Sequence, residues 1–337
     1  MIFPPTADGQ ALGMGGAPLG NLFSAIPETV AQALLEHVIG DGCRTFDTAP
    51  HYGNGRSEHR FGHALRDRPR ASFTLSSKTG RLMRPDASTP REQNSYVDVL
   101  RFAPHYDYSF DGTLRSIEDS LQRLGLETLD VAYIHDIDVA THGQRQAAVM
   151  RDVLQGAIPA LQRLREQGII KAYGLGVNDS QVCLDVLRHA DLDCLMLAGR
   201  YSLLDQAGLA ELLPLCAGRG TRIALGGVFN SGILATGVRG GGPLRFNYSA
   251  ADADVIARAG AIEDVCAEFG VPLRAAALQF PLAHEAIEIV MLGVRTKEEW
   301  DDARRMMAVT IPAMFWQALL ERRLLPPGTP VPSGQQP

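Results

Sequence analysis

Cys43-Arg44-Thr45-Phe46-Asp47-Thr48-Ala49-Pro50-His51-Tyr52-Gly53 is the stretch from which the fold is read. It opens as a short apolar run of strand length and breaks into a loop at Pro50 and Gly53. Working outward, runs of the same kind recur at 12–16, 73–77, 129–134, 172–176, 194–197, 222–225 and 287–292. Helical patterns lie between them. Residues 29–41 place Val30, Ala33, Leu34 and Val38 on one face. Residues 112–124 follow Asp111, a candidate N-cap, and carry Leu114, Ile117, Leu121 and Leu124 at helical spacing. A longer pattern at 149–167 stops at Gly168. Further patterns fall at 180–189, 207–218, 252–269, 273–283 and 297–306. Eight strands alternating with helices predict an α/β fold of the closed parallel (β/α)8 type, a TIM barrel, spanning residues 1–324 as one domain.

A doubly wound sheet is the rival architecture. It wants a Gly-rich turn after the first strand. Gly13-Met14-Gly15-Gly16-Ala17-Pro18 has the wrong spacing for that turn, and Pro18 obstructs the helix start that would receive a pyrophosphate. The one long irregular stretch, 79–110, follows the third strand, and a loop of that length is usually functional or disordered. The Pro- and Gly-rich tail, 325–337, reads as disordered.

Composition narrows the function classes. The chain has 337 residues, 45% hydrophobic and 21% charged, with a formal net charge of -6. Its Lys and Arg residues are scattered, which argues against nucleic acid as a partner. No stretch is apolar enough for a membrane span, and the N-terminus lacks the pattern of a signal peptide. The five cysteines form no C-x-x-C pair and are odd in number. Free thiols in a reducing, cytoplasmic compartment are therefore expected.

Asp47 is not alone. Lys78 follows Leu75-Ser76-Ser77, and His135 follows Tyr133-Ile134. Each charged or polar group ends an apolar run, and barrel active sites are built at those C-terminal strand ends.

These residues resemble the aldo-keto reductase family, over nearly the whole chain. The matching pieces are Phe46-Asp47-Thr48-Ala49 with Tyr52-Gly53, Ser76-Ser77-Lys78, Ile134-His135-Asp136, Gly174-Leu175-Gly176-Val177-Asn178, the loop 229–234 and Leu292-Gly293. AGRYSLLD at 198–205 and APLGNL at 17–22 resemble the branch holding aldose 1-dehydrogenases (D-threo-aldose and L-fucose type) and pyridoxal 4-dehydrogenase. The resemblance implies a tetrad of Asp47, Tyr52, Lys78 and His135 that moves a hydride to or from NAD or NADP. Chemistry agrees with it. A phenol is too weak an acid to act as a base near neutral pH, and a neighbouring ammonium lowers its pKa. Lys78 is the candidate cation, held by Asp47. Tyr52 then exchanges the proton and His135 orients the substrate oxygen.

The resemblance also implies cofactor contacts at Asn178, Asp179, Phe229, Asn230, Ser231, Gly232 and Leu234, and at Gly293, Arg295, Thr296 and Glu299. The chain departs from the family at three places around the expected cofactor. Ala198 replaces a usual Gln, Gly226 a usual Tyr, and Glu299 a frequent Arg. A carboxylate at Glu299 would repel a 2′-phosphate and favours NAD, whereas Arg295 and Lys297 favour NADP. Candidate substrate residues are Leu19, Asn21, Tyr52, Arg81, Tyr108, Phe110 and His135. The expected reaction is oxidation of an aldose hemiacetal carbon to a lactone. Pyridoxal is the alternative substrate. An NADP-dependent carbonyl reductase and a non-catalytic cofactor-binding regulatory subunit are remoter readings.

Overall fold

The computed structural model describes residues 1–241, 244–247 and 249–333. Eight parallel strands close into a barrel in chain order: β1 Leu12–Gly15, β2 Thr45–Asp47, β3 Thr74–Thr79, β4 Leu129–His135, β5 Ile170–Val177, β6 Cys194–Ala198, β7 Arg222–Gly226 and β8 Ile287–Gly293. Each predicted run becomes one of them. β1 closes the ring, pairing Met14 with Phe46 on one side and with Leu292 on the other.

The strands are hydrophobic on both faces because both are covered. On β4, Val131 and Tyr133 point inward with Ala172, Cys194, Met196, Ala224, Ile289 and Met291, while Ala132 and Ile134 face the helices. The same two-residue period carries His135 to the top of the barrel interior, above Tyr133. Phe3 plugs the bottom, where the N–H groups of Ile2 and Phe3 donate to Glu288 Oε1 at 2.7 and 3.0 Å. Asp130 pins the same end, pairing with Arg70 and Lys171 at 2.6 and 2.7 Å.

Several expectations are corrected. The stretch 79–110 is not irregular throughout: Arg81–Pro85 and Phe102–Tyr106 form an antiparallel hairpin over the barrel mouth. Ser109, not Asp111, caps the next helix, Phe110–Leu124, accepting from Gly112 N. The helix expected at 149–167 is interrupted by a π-turn at Val153–Ala157, and Pro159, which has no N–H to give, follows at once. Helices Arg56–Leu65 and Ala313–Glu321 were not expected; the first is polar and contains Gly62. Packing continues past residue 324, since Leu325 and Thr329 are buried; positions 334–337 of the expected disordered tail lie outside the described residues. All five cysteines are free and buried. Among the described residues no helix is long and apolar enough to cross a membrane.

Candidate active site

Strand register brings the chemistry together. Asp47 ends β2 opposite Ser76 of β3, and Lys78 lies two residues further along β3, on the same face. Lys78 Nζ donates to Asp47 Oδ2 at 2.6 Å and to Thr48 O at 2.9 Å, while Ser76 Oγ donates to Asp47 Oδ1 at 2.7 Å. Both charges are buried, so the pair holds only because each oxygen and the ammonium find partners. Burial pulls the Lys78 pKa below the usual lysine value, and the Asp47 carboxylate opposes that pull.

Tyr52 comes from the loop after β2. Gly53, at φ +67°, lets that loop turn back against Gly20, and a Cβ at either glycine would strike the other loop's backbone. This close approach lays the Tyr52 ring over Lys78, with Nζ 4.6 Å from the ring centroid. The His135 ring stands edge-on to Tyr52 at 6.1 Å between centroids. The four predicted residues therefore meet at one end of the barrel.

Around His135 lies a shell that only partly follows the sequence reading. Arg81 Nη1 is 2.8 Å from His135 Nδ1, and Nη2 donates to Asp136 Oδ2 at 2.6 Å. Tyr108 Oη donates to His135 O at 2.8 Å. Both residues were expected on the substrate wall; they instead brace the histidine. His51, read from the sequence as a surface or pocket-lining residue, is edge-on to His135 at 6.2 Å, and its buried Nδ1 has no hydrogen-bond partner. Tyr96 stacks on Tyr52 at 6.1 Å and was not singled out. Nothing in the sequence near Tyr96 marks it, because a hairpin loop brings it in. Burial, with the charges of Arg81 and Lys78, lowers the His51 pKa to about 3 and holds that of His135 well below its usual value.

Three other substrate candidates lie elsewhere. Leu19 is fully buried in the core beneath the loop. The Asn21 side-chain oxygen accepts from Ile26 N and Arg60 Nη1, so it is structural. Phe110 sits at the start of its helix with Arg163 against its ring, in the outer layer.

The cofactor candidates divide in the same way. A cavity of about 740 Å³ is lined by Asp136, which follows His135 at the end of β4, and by Asn178, Asp179, Gln181, Arg200 and Asn247 from the neighbouring loops. Asn178 is exposed there, and Arg200 Nε donates to its carbonyl oxygen. Asp179 caps the following helix, accepting from Gln181 N at 2.7 Å. Ala198 and Gly226, the two departures, are paired neighbours on β6 and β7. A Cβ at Gly226 would meet only ordinary contacts, the nearest at 3.7 Å to Ala198, so together they leave an open shelf. In the loop after β7, Asn230, Ser231 and Gly232 have φ of +45°, +63° and +110°. The N–H groups of Asn230, Gly232 and Leu234 donate to Gly227 O and Phe229 O. Asn230 and Leu234 are buried, with Asn230 Oδ1 accepting from Ser202. Those two shape the loop, while Phe229, Ser231 and Gly232 are half-buried, with Phe229 packed against the core.

At the last strand, Gly293 gives way to Pro18, whose ring carbons a Cβ would meet at 3.0 Å. Thr296 caps the helix Lys297–Met307, accepting from Glu299 N, and Glu299 Oε2 reaches back to Arg295 N at 2.7 Å. The Arg295 guanidinium is spent on Leu22 O and Ser24 O, at 2.8 and 3.1 Å. It braces the loop after β1, which the sequence reading did not foresee.

The chain is similar to several known proteins. A pyridoxal 4-dehydrogenase from Microbacterium luteolum is 44% identical, over 94% of each chain. A D-threo-aldose 1-dehydrogenase from Pseudomonas is 38% identical over the same shares. The solved glycerol dehydrogenase of Gluconobacter oxydans superimposes with a TM-score of 0.70 at 20% identity, covering 96% of both chains, which speaks for the fold alone. The model of the aldo/keto reductase family matches residues 11–322. With that span and those relatives, the chain belongs to the aldo/keto reductase family and is an oxidoreductase.

Proposed function

We propose that this enzyme oxidises the cyclic hemiacetal carbon of an aldose, of the L-fucose or D-threo type, to a lactone with NAD as hydride acceptor. The observation that carries this reading is the Lys78 ammonium, 2.6 Å from Asp47 and 4.6 Å from the Tyr52 ring centre, with His135 edge-on beside it. A nicotinamide, when bound, supplies the hydride-accepting carbon. The shelf at Ala198 and Gly226 offers a nicotinamide ring room at the strand ends. The chain's own part is proton handling. A cation against the ring favours the phenolate, so Tyr52 takes the proton of the hemiacetal hydroxyl. Asp47 keeps Lys78 aimed, and His135 holds the substrate oxygen.

NAD is favoured by Glu299. Its carboxylate stands at the helix start where a 2′-phosphate would approach, and Arg295 is already engaged. Polar groups around the pocket favour a polyhydroxylated substrate, His51 with its unpaired Nδ1 above all. The 44% identical relative favours a second reading, pyridoxal, whose hemiacetal gives a lactone by the same steps. NADH production with L-fucose, D-arabinose, L-galactose and pyridoxal, each compared with NADP as acceptor, separates them. Turnover with the sugars and NAD is expected; turnover with pyridoxal alone overturns the aldose assignment, and a preference for NADP overturns the cofactor assignment.

A further inference from the structure

We propose that Arg81 fixes His135 as the tautomer protonated at Nε2, so that the ring presents a hydrogen-bond donor to the substrate oxygen. The inference deepens the reading above and rests on His135 acting there. A guanidinium has N–H donors and no acceptor. Arg81 Nη1 lies 2.8 Å from His135 Nδ1, so Nδ1 must carry the lone pair. In a neutral imidazole the proton then sits on Nε2.

The arrangement is built, not incidental. Arg81 is 5% exposed and opens the hairpin strand Arg81–Pro85, two residues past the end of β3. Its Nη2 donates to Asp136 Oδ2 at 2.6 Å and to Tyr106 Oη at 3.3 Å, and the Tyr106 ring lies 4.9 Å from the guanidinium carbon. Asp136 reaches Arg81 from a left-handed backbone, φ +44°, a conformation uncommon outside glycine. Tyr108 Oη holds the His135 carbonyl, so ring and backbone are both fixed.

The groups facing the His135 ring are Lys78 from β3, Arg81 from the hairpin, His51 and Tyr52 from the loop after β2, and Asp136 from its own strand end. Asp136 Oδ2 is 3.5 Å from Nε2 and is the nearby carboxylate that would draw a second proton onto the ring. Arg81 ties that same oxygen. One positioning residue thus occupies the Nδ1 lone pair and neutralises the rival partner of Nε2. Removing it frees the tautomer and lets Asp136 stabilise an imidazolium.

The direct test is a long-range proton–nitrogen correlation spectrum of the full chain labelled with 15N-histidine, with His135 assigned by its loss in His135→Gln. A neutral ring protonated at Nε2, persisting from neutral into mildly acidic pH, is expected. An Nδ1-protonated ring or an imidazolium at neutral pH overturns the proposal. In Arg81→Met, kcat is expected to fall about 10- to 100-fold and to acquire a new acid limb absent from the parent enzyme. Arg81→Lys, which keeps a cation and an N–H donor, should recover part of the loss and remove the limb. A folded Arg81→Met enzyme with parental kcat and a flat profile contradicts the proposal. Parental turnover by His135→Gln would instead overturn the catalytic reading of His135, and the parent spectrum tells that failure from a wrong tautomer.

Discussion

Gly176 of β5 leaves the space in which the Lys78 side chain lies. It pairs with His135 on the neighbouring strand, and a Cβ there would stand 3.2 Å from Tyr133 Cβ and 3.3 Å from Lys78 Cε. Both are tighter than ordinary contact, so a larger residue must push the lysine stem aside. Gly176→Val is expected to lower kcat about 100-fold while the protein stays folded and its cofactor affinity changes little. Steady-state kinetics beside a cofactor titration check this; unchanged kcat would mean that Lys78 does not depend on the gap.

The Asp47–Lys78 pair predicts a stability pattern distinct from its catalytic one. Lys78→Met leaves a buried carboxylate without its cation, at a cost of about 3–5 kcal/mol. The double change Asp47→Leu with Lys78→Met should recover much of that stability and none of the activity. Denaturant unfolding of the three proteins tests it, and a double variant no more stable than the single one would contradict the account.

Acid should destabilise the protein through its buried imidazoles. His51 falls from an ordinary value of 6.5 to about 3 on burial, and His135 is held well below 6.5. Between those values the unfolded chain binds protons that the folded chain refuses. The stabilisation is complete above 6.5 and is lost as pH falls toward about 3. Melting temperatures at neutral pH and about pH 5 should differ less in His51→Gln than in the parent. Equal slopes would mean that His51 is not the refused site.

Glu299→Arg should raise NADP affinity relative to NAD by removing the charge that repels a 2′-phosphate. It also removes the contact to Arg295 N, so a loss of about 1 kcal/mol in stability is expected beside it. Cofactor titrations and a melting curve read the two effects separately. Unmoved affinities would place the adenosine end elsewhere.

The sequence carried the barrel because each strand is a short apolar run covered on both faces, and the tetrad because its members end such runs. It carried less of what surrounds them. Arg81 and Tyr108 looked like substrate contacts, since nothing local shows that a hairpin folds them onto His135. Leu19, Asn21 and Phe110 sit in or beside the right loops, but their side chains turn to the core, to Arg60 and to Arg163. Gly176 stood inside a segment that resembled a cofactor contact, whereas its own spacing role depends on β3 lying alongside β4. Arg295 looked like a phosphate ligand because its partners, Leu22 O and Ser24 O, are more than 270 residues away in the chain. Positions fixed by strand period are legible; partners fixed by loop closure are not.

In the proposed reaction Tyr52 takes the proton of the hemiacetal hydroxyl while hydride leaves the carbon that bears it. Oxidation of the best aldose by Tyr52→Phe, followed as NADH production alongside NAD binding by fluorescence titration, tests it most directly. The account predicts a loss of kcat of at least about 100-fold with NAD affinity preserved. Turnover near that of the parent enzyme would contradict it.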